Sequence, residues 1–80
     1  MTTELAVDKE LNLRGEVCPY TFVKSKLALE VMQTGQVLRV IVDNQESAGN
    51  VPRSMQNEGH DVLGVQKLNE KDWQIVVRKA

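Results

Sequence analysis

The sequence predicts a two-layer α/β sandwich with the element order β-α-β-α-β-β, a mixed four-stranded sheet and two helices on one face. Three observations carry that expectation. A β-branched run, Val37-Leu38-Arg39-Val40-Ile41-Val42, follows a stretch of helix formers bounded by Pro19 and Gly35. A second helical stretch closes on Gly59. Two strand-like segments then finish the chain across a hairpin-length connection. A strand, helix, strand unit with a crossover of about 20 residues favours a parallel pair with a right-handed connection, and the closing hairpin adds an antiparallel one. Helices on one face leave the other face of the sheet to solvent or to a partner.

In chain order, residues 1–8 read as a flexible lead-in, because Met1-Thr2-Thr3-Glu4 has little apolar content and no period. Residues 9–80 read as a single domain. Lys9-Glu10-Leu11-Asn12-Leu13 alternates polar and apolar and forms a short strand. Arg14-Gly15-Glu16-Val17 supplies a turn. Pro19 suits the first helical position, where its missing N–H costs nothing, and helix formers continue to Gln33. This helix is apolar on two sides, with Phe22, Ala28, Leu29 and Met32 on one and Tyr20, Val23, Leu27 and Val31 on the other. A surface helix in a two-layer domain needs only one stripe. Either the core face is wide, or the second stripe is a docking surface.

In the next strand, Leu38, Val40 and Val42 are assigned to the helices, and Val37, Arg39, Ile41 and Asp43 to the opposite face, with Arg39 near solvent. A second helix is expected over 47–58, where Pro52 removes one ladder bond unless the helix begins late, near Val51. Strands over 60–68 and 72–78 follow, joined by Asn69-Glu70-Lys71.

Composition bounds the function. Eighty residues, 41% of them apolar and 26% charged, make one domain with one core. Ten basic residues against eleven acidic give a net charge of −1, and general nucleic-acid binding needs an excess of cations. Single Phe, Tyr and Trp residues do not build a stacking platform. No apolar run approaches the roughly 18 residues that would cross a bilayer, and the start of the chain has no secretory pattern. One cysteine cannot form an internal disulfide, and one Cys with one His cannot close a zinc site, which takes about four ligands. The expectation is a cytoplasmic monomer or weak oligomer with no metal, cofactor, membrane or direct nucleic-acid partner.

Cys18 is the residue whose position suggests chemistry by itself. With Pro19 first in the helix, Cys18 falls at the N-cap, beside the unsatisfied N–H groups of the first turn. Those groups and the helix dipole favour a thiolate, which is the nucleophilic form. Arg14, Lys24 and Lys26 are near enough in sequence to make the neighbourhood cationic. A free cysteine is also commonly a small buried hydrophobe, so Cys-Pro alone leaves both readings open. His60, the only imidazole, opens a strand after a glycine cap and reads as structural. An activated cysteine without a dyad partner suits a carrier that accepts a group and hands it on, rather than an independent turnover enzyme.

Leu13-Arg14-Gly15-Glu16-Val17-Cys18-Pro19, followed by Lys24-Ser25-Lys26-Leu27-Ala28-Leu29, resembles the TusA-like (SirA/YedF) sulfur-carrier family. The resemblance continues through Val42-Asp43-Asn44, Asn50-Val51-Pro52-Arg53 and Gly59-His60-Asp61-Val62, covering about residues 9–78. It implies the same β-α-β-α-β-β sandwich. It also implies that Cys18 carries sulfane sulfur as a persulfide. The sulfur comes from a desulfurase, a rhodanese-type protein or a thiosulfate-derived donor, and passes to an acceptor protein. Pro19 then shapes the helix start.

The family motif is Cys-Pro-x-Pro, whereas this chain has Cys18-Pro19-Tyr20-Thr21. Thr21 in place of the second proline restores a backbone N–H, a normal target for an N-cap side chain, so the thiolate is expected not to weaken. The Tyr20, Val23, Leu27, Val31 stripe begins beside Cys18 and is the preferred partner surface. It is more apolar than in relatives that place a lysine at the position of Leu27. Arg39 and Asp43 read as a solvated charged face. Trp73 reads as a core anchor or an edge contact. The rival functions are a binding or regulatory module with an inert cysteine, an RNA-binding domain, and a thiol redox sensor. The last normally needs a resolving cysteine that this chain lacks.

Overall fold

The computed structural model describes residues 7–17 and 19–80 of the chain. Strand β1 (Lys9–Asn12) is followed by α1 (Tyr20–Glu30), β2 (Val37–Val42), α2 (Gln45–Asn57), β3 (Asp61–Lys67) and β4 (Trp73–Arg78). The four strands form one mixed sheet in the order β1-β2-β4-β3, with β1 parallel to β2 and the other pairs antiparallel. This is the predicted sandwich. Lys9, Leu11, Leu38, Val40, Val42, Ile75 and Val77 share the face that takes the helices, by register and alternation.

The core lies between that face and the helices. Leu38, Val40, Val42, Ile75 and Val77 from the sheet meet Ala28 and Leu29 of α1, Met32 just past its end, and Val51 and Met55 of α2. Phe22 and Trp73 are partly buried against this cluster, so Trp73 anchors the core rather than an edge contact. The Lys67 ammonium lies 5.3 Å from the Trp73 ring centre, a cation–π contact.

Three boundaries differ from expectation, each for a local reason. Helix α1 ends at Glu30 rather than near Gln33, because the Lys79 ammonium donates to the carbonyls of Glu30 (3.3 Å) and Met32 (2.7 Å). A cation there satisfies the terminal carbonyls and complements the dipole. Helix α2 begins at Gln45, not near Ser47 or Val51, because the Asn44 side chain caps it by accepting from Ser47 N–H at 2.7 Å. Pro52 therefore falls inside the helix and forgoes the bond its N–H would have made to Ala48. The other end closes as foreseen at Gly59, φ +95°, with His60 N–H on the Met55 carbonyl and Gly59 N–H on that of Gln56, a Schellman cap. Asp8, assigned by sequence to the lead-in, is tied to β2. Its N–H donates to the Val37 carbonyl at 2.9 Å, and its carboxylate accepts from Val37 N–H at 2.8 Å.

The helix-free face of the sheet is less open than predicted. Val37, Ile41 and Val76 are buried there although neither helix covers that face. Arg78, Gln74 and Arg39 stand opposite them in register, and stems of that length shield apolar neighbours. Between Val62 and Gly64 strand β3 is bulged, with Leu63 as the extra residue.

Candidate functional site

Cys18, the residue on which the sequence reading centres, lies outside the described residues, and the site is built from what surrounds it in sequence. The loop ahead of it is fixed by the end of β2. Gly15, at φ +88°, makes the turn that a side chain would strain, and its N–H donates to Asp43 Oδ2 at 2.9 Å. The Asn44 amide donates to the Glu16 carbonyl at 3.0 Å while its oxygen caps α2. One dipeptide, Asp43-Asn44, thus couples the Arg14–Val17 loop to the second helix. Sequence reading treated Asp43 as part of a solvated charged face with Arg39. Arg39 instead points to Glu10 across the β1–β2 pair, at 3.8 Å, and Asp43 serves the loop.

The helix start also differs from expectation. Pro19 is the N-cap, at φ −90° and ψ 7°, and Tyr20 is the first helical residue. The N–H groups of Tyr20 and Thr21 turn back on the Val17 carbonyl, at 2.8 and 3.3 Å. The Thr21 N–H expected as an extra donor for a sulfur anion is therefore engaged within the chain. What the N-terminus of α1 offers an anion is its dipole rather than these two donors.

Thr21 has a different role. Its side chain is fully buried, and its hydroxyl lies 2.9 Å from that of Ser47 on α2. Ser25, also buried, donates to the Thr21 carbonyl at 2.8 Å. These small polar residues form the seam between the helices, where a hydroxyl pair satisfies both partners and specifies the approach. Thr21→Val keeps the shape and removes the pair. We expect a loss of about 1 kcal/mol in urea unfolding, and an unchanged midpoint would show that the pair contributes nothing net.

The predicted cations do not form a free positive cluster. Lys24 donates to Glu16 at 2.8 Å, Lys26 stands 3.8 Å from Glu58, and Arg14 Nε lies 3.2 Å from Asp72. All three pairs are at least partly exposed and therefore weak.

The Asp72 carboxyl titrates below its ordinary range. The Asn69 amide, 2.9 Å from Oδ2, holds its pKa below the ordinary value, with Arg14 adding to the effect and burial opposing it. A depressed folded-state pKa stabilises the fold above the unfolded pKa, and that contribution is lost as pH falls through the folded value. Asn69→Ala should move the Asp72 carboxyl titration upward by NMR. A midpoint that stays put would remove Asn69 as the cause.

The second stripe of α1 is solvent-facing. Tyr20, Val23, Leu27 and Val31 are 58%, 43%, 56% and 78% exposed. They follow one another at spacings of three and four residues and so line one side of the helix. Of the two readings left open by the sequence, the exposed stripe is what the fold presents. His60 Nδ1 accepts from the Ala80 N–H at 3.2 Å, a structural contact. Among the described residues no helix is long and apolar enough to cross a membrane.

Comparison with known proteins gives a consistent picture. The family model described as Sulfurtransferase TusA matches residues 9–79. A protein of Archaeoglobus fulgidus, provisionally named a sulfur carrier protein, is 47% identical over 76 residues, 95% of this chain and 86% of the relative. A Thermotoga maritima protein with the same provisional name is 36% identical over 72 residues, 90% of this chain and 91% of its own. In fold, the chain is similar to the crystal structure of a SirA-like protein from Desulfitobacterium hafniense, at a TM-score of 0.78. That match covers 88% of this chain and 95% of the other, at 24% identity.

Proposed function

Because the chain belongs to the Sulfurtransferase TusA family, we propose that it is a sulfur carrier that holds sulfane sulfur as a persulfide on Cys18. What supports this most is that the family match spans the whole Arg-Gly-x-x-Cys-Pro segment from Arg14 to Pro19. The Cys18 thiolate attacks the outer sulfur of a donor persulfide, R–S–SH. A bond forms between the two sulfurs, the donor S–S bond breaks, and R–S⁻ leaves. The acceptor thiolate then repeats the attack on the Cys18 persulfide and releases the Cys18 thiolate, so no external oxidant or reductant is consumed. The reducing cytoplasm keeps a single unpaired thiol available for such a cycle.

The dipole of α1 favours the anionic forms of both thiol and persulfide. The cations nearest to Cys18 in sequence are paired with Glu16, Glu58 and Asp72, and the only imidazole is held by the Ala80 backbone, so acid–base chemistry falls to the partners. Donor and acceptor proteins dock on the Tyr20, Val23, Leu27, Val31 stripe, an apolar strip that starts two residues past Cys18. An apolar dock releases its partner without breaking ion pairs, which suits a relay.

Intact-mass spectrometry tests the reading. Incubation with a cysteine desulfurase and cysteine, or with a rhodanese and thiosulfate, should add one sulfur, about 32 Da, removable by reductant. Cys18→Ser should abolish the addition. No addition from several donors, together with slow thiol alkylation, would mean an inert cysteine and a binding module.

A further inference from the structure

The helix-free face of the sheet carries a cavity of about 440 Å³ that none of the residues assigned above to sulfur transfer lines. Its floor follows one row of the sheet, where Arg39, Val76 and Gly64 stand side by side on β2, β4 and β3. In the next row Gln74 donates to Gln66 at 2.6 Å, and Val7 and the bulged Leu63 close the rim.

Two features of this cavity bear on what it could hold. The Nε of Arg39 is buried with no hydrogen-bond partner, while Nη1 has only Glu10, at 3.8 Å. Buried donors without acceptors are rare, and because this one is closed to solvent, the partly exposed end of the Arg39 guanidinium is what a ligand in the cavity can reach. Gly64 is the second. Its φ is not positive, so the backbone does not require glycine, and a Cβ built there meets no atom within 4 Å. Gly64 flanks the β3 bulge, and the open space above it leaves room for a ligand to approach the backbone.

The geometry points to a binding site for a small amphiphilic monocarboxylate. The carboxylate sits on the terminal guanidinium nitrogens of Arg39, the Gln66 and Gln74 amides supply neutral polar contacts, and the aliphatic or aromatic body lies over Gly64 against Val7, Leu63 and Val76. Charge selects a monoanion. Arg78, the other cation on this face, is paired with Asp61 at 2.8 Å, and Glu10 beside Arg39 repels a second negative charge. A volume of this size falls within the range of small-molecule sites.

The test is an amide and Arg Nε–H NMR titration of the full chain with hexanoate, with acetate and 1-hexanol as controls. Saturable shifts are expected at Arg39, Leu63–Gln66 and Gln74–Val76, with both controls roughly tenfold weaker or more. Arg39→Gln should weaken hexanoate by roughly tenfold, and Arg39→Lys should do so less. Gly64→Val, which fills the cavity with a residue strands favour, should block binding while keeping a dispersed spectrum. Equal binding of acetate or hexanol, unchanged affinity in Arg39→Gln, or no saturable shift would overturn the site. Cys18→Ser should bind hexanoate normally, so this result stands or falls apart from the sulfur-carrier reading.

Discussion

Leu29→Ala is expected to lower the unfolding free energy by about 3 kcal/mol, the largest effect of any single substitution considered for this chain. Leu29 is fully buried and is the largest core side chain that α1 contributes without solvent contact. It belongs to one cluster with Leu38, Val40, Val51, Met55 and Ile75, and its removal leaves a void that two strands and a second helix would have to close. A domain of 80 residues has a total stability of roughly 4–12 kcal/mol, so the loss is a large fraction of the whole. The melting temperature should fall by about 15 °C. Val31→Ala, on the exposed stripe two residues further on, should change stability by less than about 0.5 kcal/mol. Equal costs for the two would mean that α1 is not seated on the sheet through its Leu29 side. The contrast also bears on function, since it separates the helix's structural face from the face proposed for docking.

The fold was legible because its signals are redundant. The β-branched run of β2 has one possible register against the helices, and burial of Leu38, Val40 and Val42 follows from alternation alone. Glycines at 15, 35 and 59 all adopt positive φ and mark real turns. The Phe22, Ala28, Leu29, Met32 face of α1 could be read for the same reason. The end of α1 was less legible because it involves a partner distant in sequence. Lys79, 49 positions from Glu30, trims the end of α1, and no local pattern reports it.

The site was legible only as a motif. Cys18-Pro19 is conspicuous in one dimension, but the residues that hold its loop, Asp43 and Asn44, lie in the turn after β2 and read as an ordinary strand stop. Thr21 looked like a proline substitute with a spare N–H. Its actual contact is with Ser47, across the helix pair. A Ser/Thr pattern of 21, 25 and 47 offers a clue only once the helices are known to cross there. The acidic partners of the expected cations were illegible for a related reason. Sequence shows that Arg14, Lys24 and Lys26 are near Cys18, but not that Asp72, Glu16 and Glu58 arrive with them.

Asn44→Ala should cost about 2 kcal/mol and also slow sulfur loading, because one side chain serves two ends of the architecture. Its oxygen caps α2 through Ser47 N–H at 2.7 Å, worth about 1 kcal/mol. Its amide holds the Glu16 carbonyl at 3.0 Å, two residues before Cys18, for about 1 kcal/mol more. Asn44→Asp separates the two contributions. It keeps an acceptor for Ser47 N–H and places a negative charge at a helix N-terminus, which the dipole favours. It cannot donate to Glu16, so it should recover the cap without restoring the loop. Loading of Cys18 from a desulfurase, followed by intact mass at a temperature where all variants are folded, is then the discriminating readout. If the loop bond positions the sulfur acceptor, both variants should load roughly tenfold more slowly, although only the alanine variant is strongly destabilised. If Asn44→Asp loads at the parent rate, Asn44 acts through the helix cap alone, and the Glu16 contact has no part in presenting the cysteine. The same comparison checks the coupling between the two helices. Asp43 and Asn44 are then the point at which the end of β2 fixes both the start of α2 and the loop that leads to α1.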